Sequence, residues 1–242
     1  MIDELIARMT ALLEPLEAAG DERRYFHATY LRTTIAVARE IGRGGFADPA
    51  WVERWDVVFA GLYLDALDAD LAGRAPSRPW AIAFGAPAGL PPLGHVLLGM
   101  NAHINYDLPQ ALVAVISDEQ FGDHALLARR EADHRAIDAV LAARVAAEDD
   151  ELTRLSAPAS VLDRLLRPAN RLGTRRFLRE AREKVWANAT VLSRARRQGE
   201  DAYTTALAEL EELSAAKVTA LRAPGPVLLR LAATGFGVRL RH

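Results

Sequence analysis

The stretch GHVLLGMNAHINYDLPQAL, residues 94–112, decides how the chain folds. At about 100° per residue on a helix, His95, Gly99, His103 and Asp107 drift only about 40° per step of four and share one slowly turning stripe. Val96, Leu97, Met100 and Ile104 fill the opposite flank, and Leu98, Leu108 and Leu112 leave almost no side for solvent. A helix that is apolar nearly all round is buried, so this segment is expected to be a core helix with its polar side chains inside the protein. Asn101, His103, Asn105 and Asp107 must then find partners, because an unpaired interior polar group costs about 1–3 kcal/mol. Gly99 costs roughly 1 kcal/mol relative to alanine inside a helix, and it leaves room for a close approach to the backbone between the two histidines.

A buried helix needs other helices around it. Helical periodicity dominates the rest of the chain, with no alternating strand or hairpin pattern. Ile2, Leu5, Ile6, Met9, Leu12, Leu13 and Leu16 form one stripe of a helix over about 2–19, ended by Gly20, and Asp21 caps the next over about 22–42. Asp48-Pro49 reads as an N-cap followed by proline at the first position of a helix over about 49–72. Prolines make 73–92 irregular apart from a short turn around Trp80–Phe84, and long loops of this kind often cover sites. The core helix starts near Pro92, runs to about Ile116 and bends at Pro109; Ser117 and Gln120 then make a capping box. Helices over about 123–148, 159–167, 172–198 and 200–221 follow, with breaks expected at the acidic EDDE (148–151) and at Arg167-Pro168, and a short helix after Pro226. The expected fold is an all-α, single-domain bundle of about eight helices spanning 1–242. Its core covers about 20–195, with 200–242 packed on it or serving as a tail.

Half of the 242 residues are apolar, 26% are charged and the net charge is −2, the composition of an ordinary globular domain. That balance speaks against a nucleic-acid partner. The absence of cysteine removes disulfides, thiolate metal sites and cysteine nucleophiles, leaving His, Asp and Glu as the strong metal ligands. MIDELIARM at the start carries acids where a secretory leader is basic, and no stretch approaches the roughly 18 uninterrupted apolar residues of a membrane span. The expected location is therefore cytoplasmic.

His103 and Asp107 are spaced so that one helix offers an imidazole and a carboxylate to a single cation. His134 and Asp138, in EADHRAIDAVL, repeat the spacing, and two facing helices with such pairs can build a metal site in a bundle core. His95, or Asp65 beyond the Phe59–Leu62 face, would complete the shell. The expected ligands of a divalent ion (Zn, or Fe/Mn) are thus His95, His103, Asp107, His134, Asp138 and Asp65, and the expected catalytic residues are His103, Asp107 and Asn101. Asp133, turned about 100° from His134, would orient an arginine or a ligand from outside the shell. A purely structural network and a metal-free catalytic or binding site are alternatives for His103 and Asp107; a solvated helix face is the alternative for His134 and Asp138. His27, beside Tyr30, reads as a packed or exposed histidine, and His124 as a surface one. No phosphate loop, nucleophile elbow or H-E-x-x-H motif is present.

Between 164 and 198 eleven Arg and Lys residues face only Glu180 and Glu183, a patch able to meet phosphate or an anionic membrane surface. The tail PVLLRLAATGFGVRLRH (226–242) is apolar and basic. Solvated helix faces and a docked tail are the plainer readings of both.

The string Gly99-Met100-Asn101-Ala102-His103-Ile104-Asn105-Tyr106-Asp107-Leu108-Pro109 resembles the motif of an uncharacterised bacterial family of helical proteins. Phe26–Tyr30, Phe59-Ala60-Gly61-Leu62-Tyr63 and Asp133-His134 support the likeness, which covers about residues 20–195 and implies no reaction. His103/Asp107 followed by His134/Asp138 is also similar in order and spacing to the zinc-dependent phospholipase C and P1-nuclease group. That group has an N-terminal tryptophan where this chain starts Met-Ile, and a further histidine where Gln110 and Leu112 stand, so the similarity implies at most one or two ions. Three functions follow as expectations. One is a metal-dependent hydrolase of a phosphoester or lipid-like small molecule. The second is a non-catalytic helical binding protein using the 73–92 loop and the Arg-rich helices. The third is a peripheral membrane protein using 164–242.

Overall fold

The computed structural model describes residues 1–87, 89–155, 161–223 and 235–241, and their side chains except those of 138, 141–155 and 161–179. Among the described residues there are helices and no strands: α1 (Ile2–Ala18), α2 (Arg24–Gly42), α3 (Pro49–Leu71), α4 (Arg78–Phe84), α5 (Pro92–Ala102), α6 (Leu108–Val115), α7 (His124–Leu155), α8 (Val161–Gln198) and α9 (Glu200–Arg222). A π turn, His103–Asp107, joins α5 and α6 into one rod. The all-α bundle expected from periodicity is what forms. No helix of the described residues is long and apolar enough to cross a membrane.

Local signals act where the sequence places them. Asp48 accepts from the Trp51 amide at 3.0 Å and Pro49 follows it at the first helical position. Ser117 and Gln120 exchange hydrogen bonds of 3.1 and 3.3 Å. Gly20 closes α1 with a positive φ of 63°, a conformation that glycine adopts without a Cβ clash. Two expected breaks are absent: α7 runs through the acidic stretch to Leu155, and α8 runs through Pro168. Acidic side chains are fair helix formers, so an acid run alone does not end a helix.

The α5–π–α6 rod lies at the centre and touches α2, α3, α4, α8 and α9. Around its first half, Phe26, Tyr30, Tyr63, Leu64, Trp80 and Leu98 form one apolar cluster; around its second, Trp51, Trp55, Leu112, Val113, Trp186 and Leu192 form another. Ile104, in the π turn, packs against both. The Pro-rich stretch folds down through α4, which rests on α5 and α9 and carries the buried Trp80. From the C-terminal tail, residues 235–241 pack on the helices with Phe236, Val238 and Leu240 buried and Arg239 and Arg241 exposed. The side chains of Arg164–Arg179, in the expected basic patch, lie outside those described; of the rest, Arg196 is paired with Asp118.

Candidate functional site

Pro109 explains why the rod widens at its middle. Proline lacks an N–H, and inside a regular helix its ring collides with the carbonyl four residues earlier, here that of Asn105. The chain responds one turn upstream, where the Leu108 amide bonds to the carbonyl of His103, five residues back. The expected bend at Pro109 is therefore realised as a π turn over His103–Asp107. Such wide turns are frequent at functional sites.

Within that turn His103 Nδ1 lies 2.8 Å from Asp107 Oδ2, and the same oxygen accepts the indole N–H of Trp80 at 2.8 Å. A carboxylate oxygen accepts, so the imidazole proton sits on Nδ1 and Nε2 presents a lone pair. Burial lowers the pKa of His103 and raises that of Asp107, and the hydrogen bond between them opposes both changes. The result is a neutral imidazole held by a carboxylate that has two donors.

Aromatic rings enclose this imidazole. Phe59 stacks on it with ring centroids 3.6 Å apart and planes within 4°. Tyr30 stands edge-on at 4.6 Å, with Phe26, Trp80 and Tyr63 at 5.9, 5.9 and 6.0 Å. His103 is 3% exposed and its Nε2 has no hydrogen-bond partner. The Tyr30 hydroxyl and Asp56 Oδ2 are likewise buried without partners, and burial pushes Asp56 up to about 7. Asp56 and Asp107 both help raise the Tyr30 phenol, so the three groups share one electrostatic neighbourhood. Natural interiors rarely leave such atoms unpaired.

A small crevice is lined by Glu22, Arg23, Phe26, Trp80, Ala83, Phe84, His95 and Gly99. The close approach expected at Gly99 is made by Phe26, whose ring would be 2.5 Å from an added Cβ. His95 is buried beside this crevice, 3.6 Å from Glu22 and so too far for a hydrogen bond.

The other expected ligands stand elsewhere. His134 is buried, not solvated, and its Nδ1 accepts the Trp186 indole N–H at 2.8 Å while Trp55 packs edge-on at 4.9 Å. Burial, with Arg182 and Arg135 nearby, pushes it down to about 3. Asp65 is exposed on α3. The side chain of Asp138 lies outside those described. Asp133 accepts from the amides of Ala47 and Asp48 at 2.7 and 3.0 Å and so ties α7 to the start of α3. His27 is a satisfied core histidine, donating to the Met9 carbonyl at 2.7 Å and accepting from Tyr63 at 2.8 Å. Asn101 serves the main chain and its neighbour, donating to the Leu97 carbonyl at 2.8 Å and accepting from Asn105 at 3.3 Å. Among the described residues no three His, Asp or Glu side chains gather where an ion could bind.

Sequence reading placed Trp80 on a short turn but missed three parts of this arrangement: the bond from Trp80 to Asp107; Asp56; and the stacking of Phe59 on His103. The Phe26–Tyr30 and Phe59–Tyr63 elements that carried the family resemblance turn out to be walls of the enclosure.

A family model described as a family of unknown function (DUF5995) matches residues 2–224. No curated protein and no solved structure matches the chain.

Proposed function

Because the chain belongs to the DUF5995 family, whose function is unknown, its own residues must supply the assignment, and we propose that the His103–Asp107 dyad is a metal-free proton-accepting site for a small flat molecule. The observation that carries this reading is the lone pair of His103 Nε2, buried and unpartnered while Nδ1 is fixed by Asp107. A histidine whose proton position and ring orientation are set by a carboxylate is arranged as a general base. His103 Nε2 accepts a proton from an O–H or N–H group of the ligand. Asp107 stabilises the imidazolium that forms, and Trp80 holds Asp107 in place. Phe26, Tyr30, Phe59 and Tyr63 offer apolar faces that keep water from the transfer and favour a planar ligand.

The metal-dependent hydrolase reading has less support, since the ligand set around Nε2 stops at one imidazole. Metal analysis of untagged protein separates the two: a stoichiometric divalent ion lost in His103→Phe would restore it. The site itself is tested with phenol against toluene, two probes of one shape of which only phenol has an acidic proton. Ligand-observed NMR should show phenol binding, a perturbed ¹⁵N resonance of His103 Nε2, and loss of both in His103→Phe. Equal binding of toluene, or phenol binding that survives in His103→Phe, would end the proposal.

A further inference from the structure

Residues 235–241 run through the protein as an extended segment whose main chain is read by side chains. Asn105, on the π turn, donates to the Phe236 carbonyl at 3.2 Å and accepts from the Val238 amide at 3.1 Å. Two residues on, Asn188 of α8 repeats the pattern, donating to the Val238 carbonyl at 3.1 Å and accepting from the Leu240 amide at 2.9 Å. Each carboxamide thus supplies the donor and acceptor that a neighbouring strand would supply in a sheet. Lys184 donates to the Gly237 carbonyl at 3.0 Å, Lys217 to that of Gly235, and Glu209 accepts from the Arg241 amide at 3.3 Å.

The side chains alternate as they do on a strand. Phe236, Val238 and Leu240 are 0, 9 and 2% exposed, while Arg239 and Arg241 face solvent. At Gly237 an added Cβ would lie 2.5 Å from Lys184 Cδ, so the Lys184 side chain of α8 lies against the backbone there. Two features of peptide recognition by strand addition are present: main-chain bonds in register and pockets for alternate side chains.

We propose that the groove between the π turn, α8 and α9 is an exchangeable peptide site with residues 235–241 as its intramolecular occupant. The segment leaves while the helices stay folded, and the groove then takes in trans an extended peptide with apolar residues at alternate positions. This inference is independent of the dyad. Seven main-chain groups between Gly235 and Arg241 are matched by side chains of the π turn, α8 and α9, so the helices carry the recognition elements that a neighbouring strand would otherwise supply.

Native-state hydrogen exchange on the intact chain tests whether the segment leaves. The Val238 and Leu240 amides should exchange at least about a hundredfold faster than those of Leu112 and Leu192, by an opening that exposes little surface. Exchange of all four only through global unfolding would overturn the proposal. The trans arm uses the full chain with Phe236→Ser and Leu240→Ser to weaken its own segment, and a fluorescein-labelled peptide of residues 235–242. Saturable binding, reduced at least about tenfold by adding Asn188→Ala, is expected; a folded weakened chain that ignores the peptide refutes exchange. Should the weakened chain fail to fold, the segment is part of the core and the proposal likewise falls.

Discussion

At the scale of single residues, two buried groups set opposing responses to pH. Asp56 has its pKa raised by burial from 3.8 to about 7. The folded state therefore holds this proton after the unfolded state has released it, and stability falls as pH rises from about 4 to about 7. His134 is lowered from 6.5 to about 3, so the unfolded state takes a proton first and stability falls as pH drops through that window. Between about pH 4 and 6.5 the two slopes offset each other. Asp56→Asn removes one of them while keeping the shape. Its urea-derived stability should exceed that of the parent at pH 8, by up to about 4 kcal/mol at about 1.4 kcal/mol per unit, and converge with it near pH 4. The variant should also lose stability more steeply on acidification, because one of the groups that oppose His134 is gone. A gain that is the same at both pH values would mean that Asp56 is not carrying a buried charge.

At the scale of elements, what was legible in the sequence follows from which forces are local. The caps at Asp48 and Ser117 act within one turn of chain, and the apolar surround of 94–112 states burial directly, so both could be read in advance. The π turn could not: a 100° periodicity has no place for one five-residue step, although Pro109 marked the neighbourhood. The His103–Asp107 pair was legible because its spacing lies within one helix, whereas its union with Trp80 depends on how α4 docks. The setting of His134 was out of reach for the same reason, since no spacing says that it accepts from Trp186. Gly99 shows the balance between local and tertiary terms. Alanine there would gain roughly 1 kcal/mol of helix propensity, but its Cβ would meet the Phe26 ring at 2.5 Å. Overpacking of this kind costs typically about 1–3 kcal/mol, so Gly99→Ala should lower the melting temperature. Adding Phe26→Leu should recover part of the loss. An unchanged or higher melting temperature for the single variant would show that α2 yields freely at this contact.

At the scale of the whole molecule, the central rod makes two cores into one. Trp80 belongs to the cluster around α5, and Trp51, Trp55 and Trp186 to the cluster around α6. The rod runs through both, and Ile104 packs on both from a turn whose wide geometry is fixed by Pro109 on one side and the His103–Asp107 bond on the other. Melting either half removes packing from the rod and so from the other half, which is the condition for all-or-none unfolding. The extended C-terminal segment touches both clusters, with Phe236 in the first and Val238 and Leu240 in the second, but the bridge that couples them is the rod. The four tryptophans make this measurable in an unaltered chain. With 5-fluorotryptophan incorporated and each ¹⁹F resonance assigned by a single Trp→Phe variant, all four should lose native intensity at the same urea concentration, in step with the far-ultraviolet circular dichroism. If the Trp80 resonance went at lower urea than the other three, the α5 cluster would be a separately folding unit, and the rod would connect two bodies without coupling them.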